Sequence, residues 1–208
     1  MTAGTVAVGA LLLSPIAFGA VEAVGYIRGR FLRSFWELPL DAKLDHIGRY
    51  DGAWWVMTAA WPPLVIVLTG GLGGFAFVLG DVVAWAAFGV FVVAAVAWLM
   101  GIVQQGAALS VAAQQRNAVG ETPGWAFAVS RIVQMLETVW VVAANVAAAG
   151  YGVAVLRTDL LPQWLGWVAV VGGLAIPAVV IVTREVFPHL ALPVVMALGV
   201  GLLVTAGS

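Results

Sequence analysis

The sequence predicts an all-α fold: a polytopic membrane helix bundle of six transmembrane helices with a short amphipathic helix on the cytoplasmic side. Three observations predict it. The 208 residues are 63% hydrophobic and 9% charged with 10 Trp, too apolar for a soluble domain of this length. Six apolar runs are long enough to cross about 30 Å of hydrocarbon, which takes roughly 20 helical residues. The basic residues fall almost entirely on one side of the membrane that those runs define.

The runs extend from about Thr5 to Ile27, Trp54 to Val78, Val82 to Ala107, Ser130 to Leu156, Trp164 to Val182 and His189 to Thr205. They are apolar all round and carry Gly and Pro, whereas a barrel strand would alternate over about ten positions, so helices are the spanning element that fits. Lys and Arg near helix ends are retained on the cytoplasmic side. Arg28, Arg30, Arg33, Lys43 and Arg49 follow the first run, Arg116 and Arg131 lie between the third and fourth, and Arg184 follows the fifth; Arg157 alone belongs to the other side. This bias predicts both termini outside. The first run has no basic segment ahead of it, so it is expected to stay in the mature protein.

Between the first two spans, Leu40, Leu44 and Ile47 recur at helical spacing while Asp41, Lys43, Asp45 and Arg49 take the other faces, and Pro39 suits a helix first turn. Such a helix is expected to lie on the cytoplasmic surface. The segment Gln114 to Gly124 is polar with two Gly and a Pro and predicts a loop. With no internal repeat or linker, one bundle domain over residues 1–208 is expected. Pro15, Pro62, Pro63, Pro177 and Pro193 each free a backbone carbonyl that lipid cannot satisfy, so each is expected to face protein or a wet cavity. Gly70, Gly71, Gly73, Gly74, Gly172 and Gly173 are expected at close helix contacts.

The absence of Cys excludes disulfides, thiolate metal sites and Cys nucleophiles. Nine basic against ten acidic residues points to no nucleic-acid partner. No Ser-His-Asp set, P-loop or dinucleotide fingerprint occurs, and no cofactor is named by the sequence. His46 with Asp41, Asp45 and Asp51, and His189 with Glu185, are types that bind divalent metals, but without a signature spacing they read as solvated charges and no metal site is expected. Heavy use of Ala, Val, Gly and Trp with a single Lys suits a GC-rich bacterial genome and hence a bacterial plasma membrane.

The candidate catalytic acids are Glu22 and Glu137. Glu22 lies six residues before Arg28 and Glu137 six residues after Arg131, so both stand about 9 Å inside the cytoplasmic boundary at 1.5 Å per residue. A bare carboxylate there is costly, so each is expected to face the bundle interior. On the fourth helix Arg131, Gln134, Glu137, Thr138 and Asn145 fall within an arc of about 120°. With Glu22, Gln104, Gln105 and Trp140 they are candidates for a polar, ligand-binding pocket opening toward the cytoplasm, in which Glu22 and Glu137 are expected to face a common interior region. The alternative reading is a buried hydrogen-bond network that pins the first, third and fourth helices. Of the tryptophans, Trp54, Trp55, Trp125, Trp164 and Trp167 are expected to anchor helices at the interface, while Trp61, Trp98 and Trp140 are placed to line something internal.

The run from Gly150 to Gly173, GYGVAVLRTDLLPQWLGWVAVVGG, and the helix opening SRIVQMLETV resemble a bacterial family of six-helix membrane proteins of uncharacterised role, domain of unknown function 4386. The resemblance covers about a fifth of the chain and implies a bundle without an activity; the first three helices do not follow the family pattern.

Three function classes remain. One is a bundle that binds a lipid-soluble ligand or serves as a subunit or assembly factor of a larger membrane complex or homo-oligomer. Another is an intramembrane enzyme on an isoprenoid or other lipid, similar to small membrane terpene cyclases, with Glu137 or Glu22 as general acid and aromatic walls to stabilise a carbocation. The last is a small transporter.

Overall fold

The computed structural model describes residues 3–31, 35, 38–183 and 191–207; Arg33, Arg184, Glu185 and His189 lie outside them. Among the described residues there is no strand, and the helices are α1 (Ala3–Leu12), α2 (Pro15–Gly29), α3 (Leu40–Arg49), α4 (Asp51–Leu79), α5 (Val82–Val103), a π-helical turn (Gln104–Ala108), α6 (Leu109–Val119), α7 (Gly124–Arg157), α8 (Gln163–Thr183) and α9 (Ala191–Gly207). The protein is therefore an all-α helical bundle. Among the described residues, five helical stretches are long and apolar enough to cross a membrane: Gly4–Gly29, Asp51–Leu79, Val82–Val119, Gly124–Arg157 and Gln163–Val180. The sixth expected span corresponds to α9, which is 17 residues long and apolar.

The surface of these helices is what a lipid solvent selects. Val56, Ile66 and Phe77 on α4, Val93 and Val96 on α5 and Val171 and Leu174 on α8 are all exposed. Contiguous apolar exposure on this scale is foreign to a soluble monomer and is the normal outer face of a spanning helix. This chain is an integral, multi-pass membrane protein.

Its contacts divide it into two compact units. Unit 1 comprises Met1–Ile16, Val65–Ala97 and Glu137–Ser208; unit 2 comprises Ala17–Leu64 and Trp98–Leu136. In unit 1, small residues set the helix spacing. A Cβ at Gly71 would fall 2.9 Å from the Cβ of Leu11, and one at Gly74 would fall 2.7 Å from a methyl of Val8, so α1 and α4 touch through those glycines. A Cβ at Gly173 would lie 2.5 Å from the carbonyl oxygen of Asn145, and one at Gly152 would lie 2.6 Å from that of Gly166, which brings α7 and α8 backbone to backbone. Tyr151 donates from its hydroxyl to the carbonyl of Leu72 at 2.8 Å. Close approach through small residues and an interhelical hydrogen bond are the means by which helices associate where lipid removes the hydrophobic drive.

Unit 2 is built around aromatic packing. α2 ends at a left-handed residue, Arg30 (φ 53), and the N–H of Phe31 reaches back to the carbonyl of Gly25 at 3.5 Å. That turn delivers Phe31 against Phe35 and Trp54, with ring centroids 4.9 and 5.2 Å away. Trp54, expected as an interface anchor, is instead fully buried, while Trp55, Trp125, Trp164 and Trp167 are exposed. The reason is position on the helix: Trp54 and Trp55 are 100° apart, and the side that Trp54 takes is the one packed against Phe31 and Phe35.

The helix predicted around Leu40 forms, with Pro39 as its N-terminal flanking residue. Its apolar stripe is not left for the membrane surface, because Leu44 and Ile47 are fully buried and α3 packs against α6. Arg116 of α6 donates to Asp45 through Nε (2.5 Å) and Nη2 (3.1 Å), and the hydroxyl of Thr122 bonds Asp41. The polar segment from Gln114, expected as a loop, is helical as far as Val119. Gln, Arg and Ala sustain a helix, and only Gly120, at φ 82, ends it.

Proline acts locally. Pro15 breaks the first span at Leu13–Ser14, whereas Pro62, Pro63 and Pro177 sit inside continuous helices. Pro193 lies in α9, three residues into its described part.

Candidate functional site

Within unit 2, α2 turns one face inward. Phe18, Glu22, Gly25 and Gly29 recur at i, i+4, i+7 and i+11, and Phe18, Gly25 and Gly29 are buried. This face lies along α4 running the opposite way. The ring of Phe18 meets Trp61 edge-on at 5.9 Å, a Cβ at Gly25 would fall 2.7 Å from the sulfur of Met57, and one at Gly29 would fall 3.2 Å from Ala53. Glu22 sits on the same face between the Trp61 and Met57 levels, half-buried, with Oε1 fully shielded.

Trp61 joins a second helix to this region. It stacks on Trp98 of α5, and both indoles are buried. Less than two turns beyond Trp98 the helix widens into the π-turn that carries Gln104 and Gln105, both half-buried. Gly106 of that turn is buried against α4, where a Cβ would come within 2.9 Å of Thr58 Oγ1. The Thr58 hydroxyl donates to the carbonyl of Trp54 at 2.9 Å. Along the same seam runs a small apolar groove of about 140 Å³ between α4 (Trp55, Thr58, Ala59, Pro62) and the α5–π segment (Ile102, Val103, Gly106, Ala107). A π-turn inserts one residue into a helical turn and recurs at functional sites.

The remaining sequence candidates stand on α7. Arg131 and Gln134 are exposed on the part of α7 that belongs to unit 2. Glu137, half-buried, begins the part of α7 that belongs to unit 1. Also in unit 1, Trp140 is buried with its ring 5.7 Å from that of Phe91. Asn145 is fully buried; its Nδ2 donates to the carbonyl of Val141 at 2.7 Å, a local helix contact. Comparison with protein-family models, with curated proteins and with solved structures finds no match.

Among the described residues, no three His, Cys, Asp or Glu side chains gather in one place to hold a metal ion. His46 is engaged by the fold: its Nε2 lies 2.8 Å from the carbonyl of Gly29, and its ring contacts Phe31, Phe35 and Tyr50. Arg157 pairs with Asp81 at 3.0 Å, and Asp81 caps α5 by accepting the N–H of Val83 at 2.8 Å. Burial raises the Asp81 carboxyl, but the Val83 N–H and the Arg157 guanidinium outweigh it and hold the group below its usual range. Sequence reasoning passed over Asp81, although an Asp directly before an apolar run is a helix-start signal.

Proposed function

We propose that the protein binds a lipid-soluble ligand inside the membrane, in unit 2, with Glu22 as the polar contact and Phe18, Trp61 and Trp98 as the apolar wall. The observation that carries this reading is the placement of Glu22 on the buried face of α2, between the Phe18–Trp61 contact and Met57. An ionisable group at membrane depth is costly unless it serves a site, and a ligand site is an apolar enclosure with a few polar groups. The groove between Trp55 and Val103 suits a stretch of alkyl or isoprenyl chain, since about 140 Å³ is well below the ~300 Å³ of a whole drug-sized ligand.

The same arrangement supports turnover as a second reading. A carboxylic acid beside stacked indoles is what protonation of an alkene and stabilisation of the resulting cation require. In the orientation we propose, the basic ends of the spans face the cytoplasm of a bacterial cell and both termini lie outside.

Mass spectrometry of lipids carried through purification tests the reading. One lipid class enriched over the bulk membrane in the wild type, and lost in Glu22→Gln and Trp61→Leu, is the expected result. Enrichment that survives both substitutions, or none in the wild type, defeats it. A product that forms with the wild type and not with Glu22→Gln would favour the enzyme.

A further inference from the structure

A second cleft in unit 2, of about 270 Å³, lies where α2 ends and α3 turns into α4. Val24 and Arg28 of α2 form one wall; Arg49, Tyr50 and the first turn of α4 from Asp51 to Ala53 form the other, with Val56 a turn further along. Arg28 and Arg49 are both exposed, and among the described residues neither is held in an ion pair. The single acid in the lining is Asp51, so the cleft carries a net positive charge.

Three features choose the ligand. Two guanidinium groups free to turn toward a common space suit a phosphate group, because each fork can offer two parallel donors to its oxygens. Tyr50 belongs to the same wall. Val24 and Val56 are 38% and 57% exposed beside the arginines, so whatever binds the charged end also meets bare apolar surface. The cleft stands at the ends of two spanning stretches, where Gly4–Gly29 stops and Asp51–Leu79 starts. At about 270 Å³ it is sized for a head and not a whole lipid, for which ~300 Å³ or more is usual even in drug-sized ligands.

We propose that Arg28 and Arg49 form a binding site for the phosphate head of an anionic lipid, whose chains leave along Val24 and Val56. The site uses neither Glu22 nor the tryptophans, so it stands or falls separately from the ligand reading above. It differs from general attraction of basic loops to an anionic leaflet in requiring these two arginines and not their neighbours.

The test uses the full-length protein in neutral detergent, titrated with phosphatidylglycerol or phosphatidylcholine and read by thermal unfolding and native mass spectrometry. The wild type is expected to bind phosphatidylglycerol preferentially, and Arg28→Gln or Arg49→Gln to lower that affinity by about tenfold, the loss of one charged hydrogen-bonding contact. Arg30→Gln removes the same charge two residues away and is expected to leave the preference in place. Inorganic phosphate alone separates the sources: a shift with phosphatidylglycerol only assigns the lipid head, and a shift with phosphate too assigns the shared phosphate group. If Arg49→Gln does not fold, Arg49→Lys keeps the charge without the fork and is expected to bind more weakly than the wild type. Equal affinity in Arg28→Gln and wild type, in Arg49→Lys and wild type, or an equal loss in Arg30→Gln and Arg28→Gln, overturns the proposal.

Discussion

The indole rings of Trp61 and Trp98 lie face to face, their centroids 5.1 Å apart and their planes 9° from parallel. The two residues are 37 positions apart in sequence, on α4 and α5, and the edge of Phe18 from α2 closes on the first of them. Three helices of unit 2 thus meet at one aromatic cluster.

Replacing either indole is expected to cost more than its volume. In a double-mutant cycle with Trp61→Leu and Trp98→Leu, thermal unfolding in detergent should show a coupling of about 0.5–1.5 kcal/mol, the range for aromatic pairs beyond their area burial. Strictly additive effects would mean that the stack contributes shape and nothing more.

Neighbouring glycines should respond in opposite directions. Nothing lies within 4 Å of a Cβ built at Gly70, whereas one at Gly71 meets Leu11 at 2.9 Å and the Leu12 amide nitrogen at 3.3 Å. Gly70→Ala should stabilise by about 0.5–1 kcal/mol through lost backbone freedom in the unfolded chain. Gly71→Ala should destabilise by about 1–3 kcal/mol, because backbone atoms cannot yield as a side-chain tip can. Unfolding midpoints of the two variants decide it, and matching shifts would contradict the α1–α4 contact.

The clasp between α3 and α6 should be pH-dependent. The hydrogen bonds from Arg116 hold the Asp45 carboxyl below its ordinary range, so its stabilisation is present above the unfolded value of about 4 and is lost as pH falls through the lower folded value. Asp45 is exposed, so Asp45→Asn should cost only about 0.2–1 kcal/mol at neutral pH. The gap between variant and wild type should narrow as pH falls below about 4. A gap that stays constant from pH 7 to pH 2.5 would show that the ion pair is not its source.

The orientation is open to a direct assay. Arg157, the one basic residue that the sequence predicts outside, is paired with Asp81 at the connection between α4 and α5. Alkaline phosphatase fused after Ser208 should be active and a fluorescent reporter there dark. The reverse pattern would invert the topology or change the number of spans.

The apolar runs were legible in the sequence because each spanning helix must satisfy its own backbone and present apolar side chains to lipid, whatever its neighbours do. Trp61, Trp98 and Trp140 stood out for the same reason, as large aromatics away from the span ends, and all three are buried. Helix α3 was legible because its Leu44, Ile47 stripe repeats at helical spacing. The surroundings of that stripe were not, since α6 approaches it from more than 60 residues away along the chain.

The sequence by itself determined an all-α membrane protein and the positions of five long apolar helices, because composition and hydrophobic run length act through each segment separately. Only the tertiary structure decided that Trp54 turns inward and Trp55 outward, that Gly71 is a contact and Gly70 is not, and that Arg28 and Arg49 line one cleft. Those outcomes depend on which helix packs beside which, and every face of these helices is apolar, so periodicity along one helix carries no record of its neighbour.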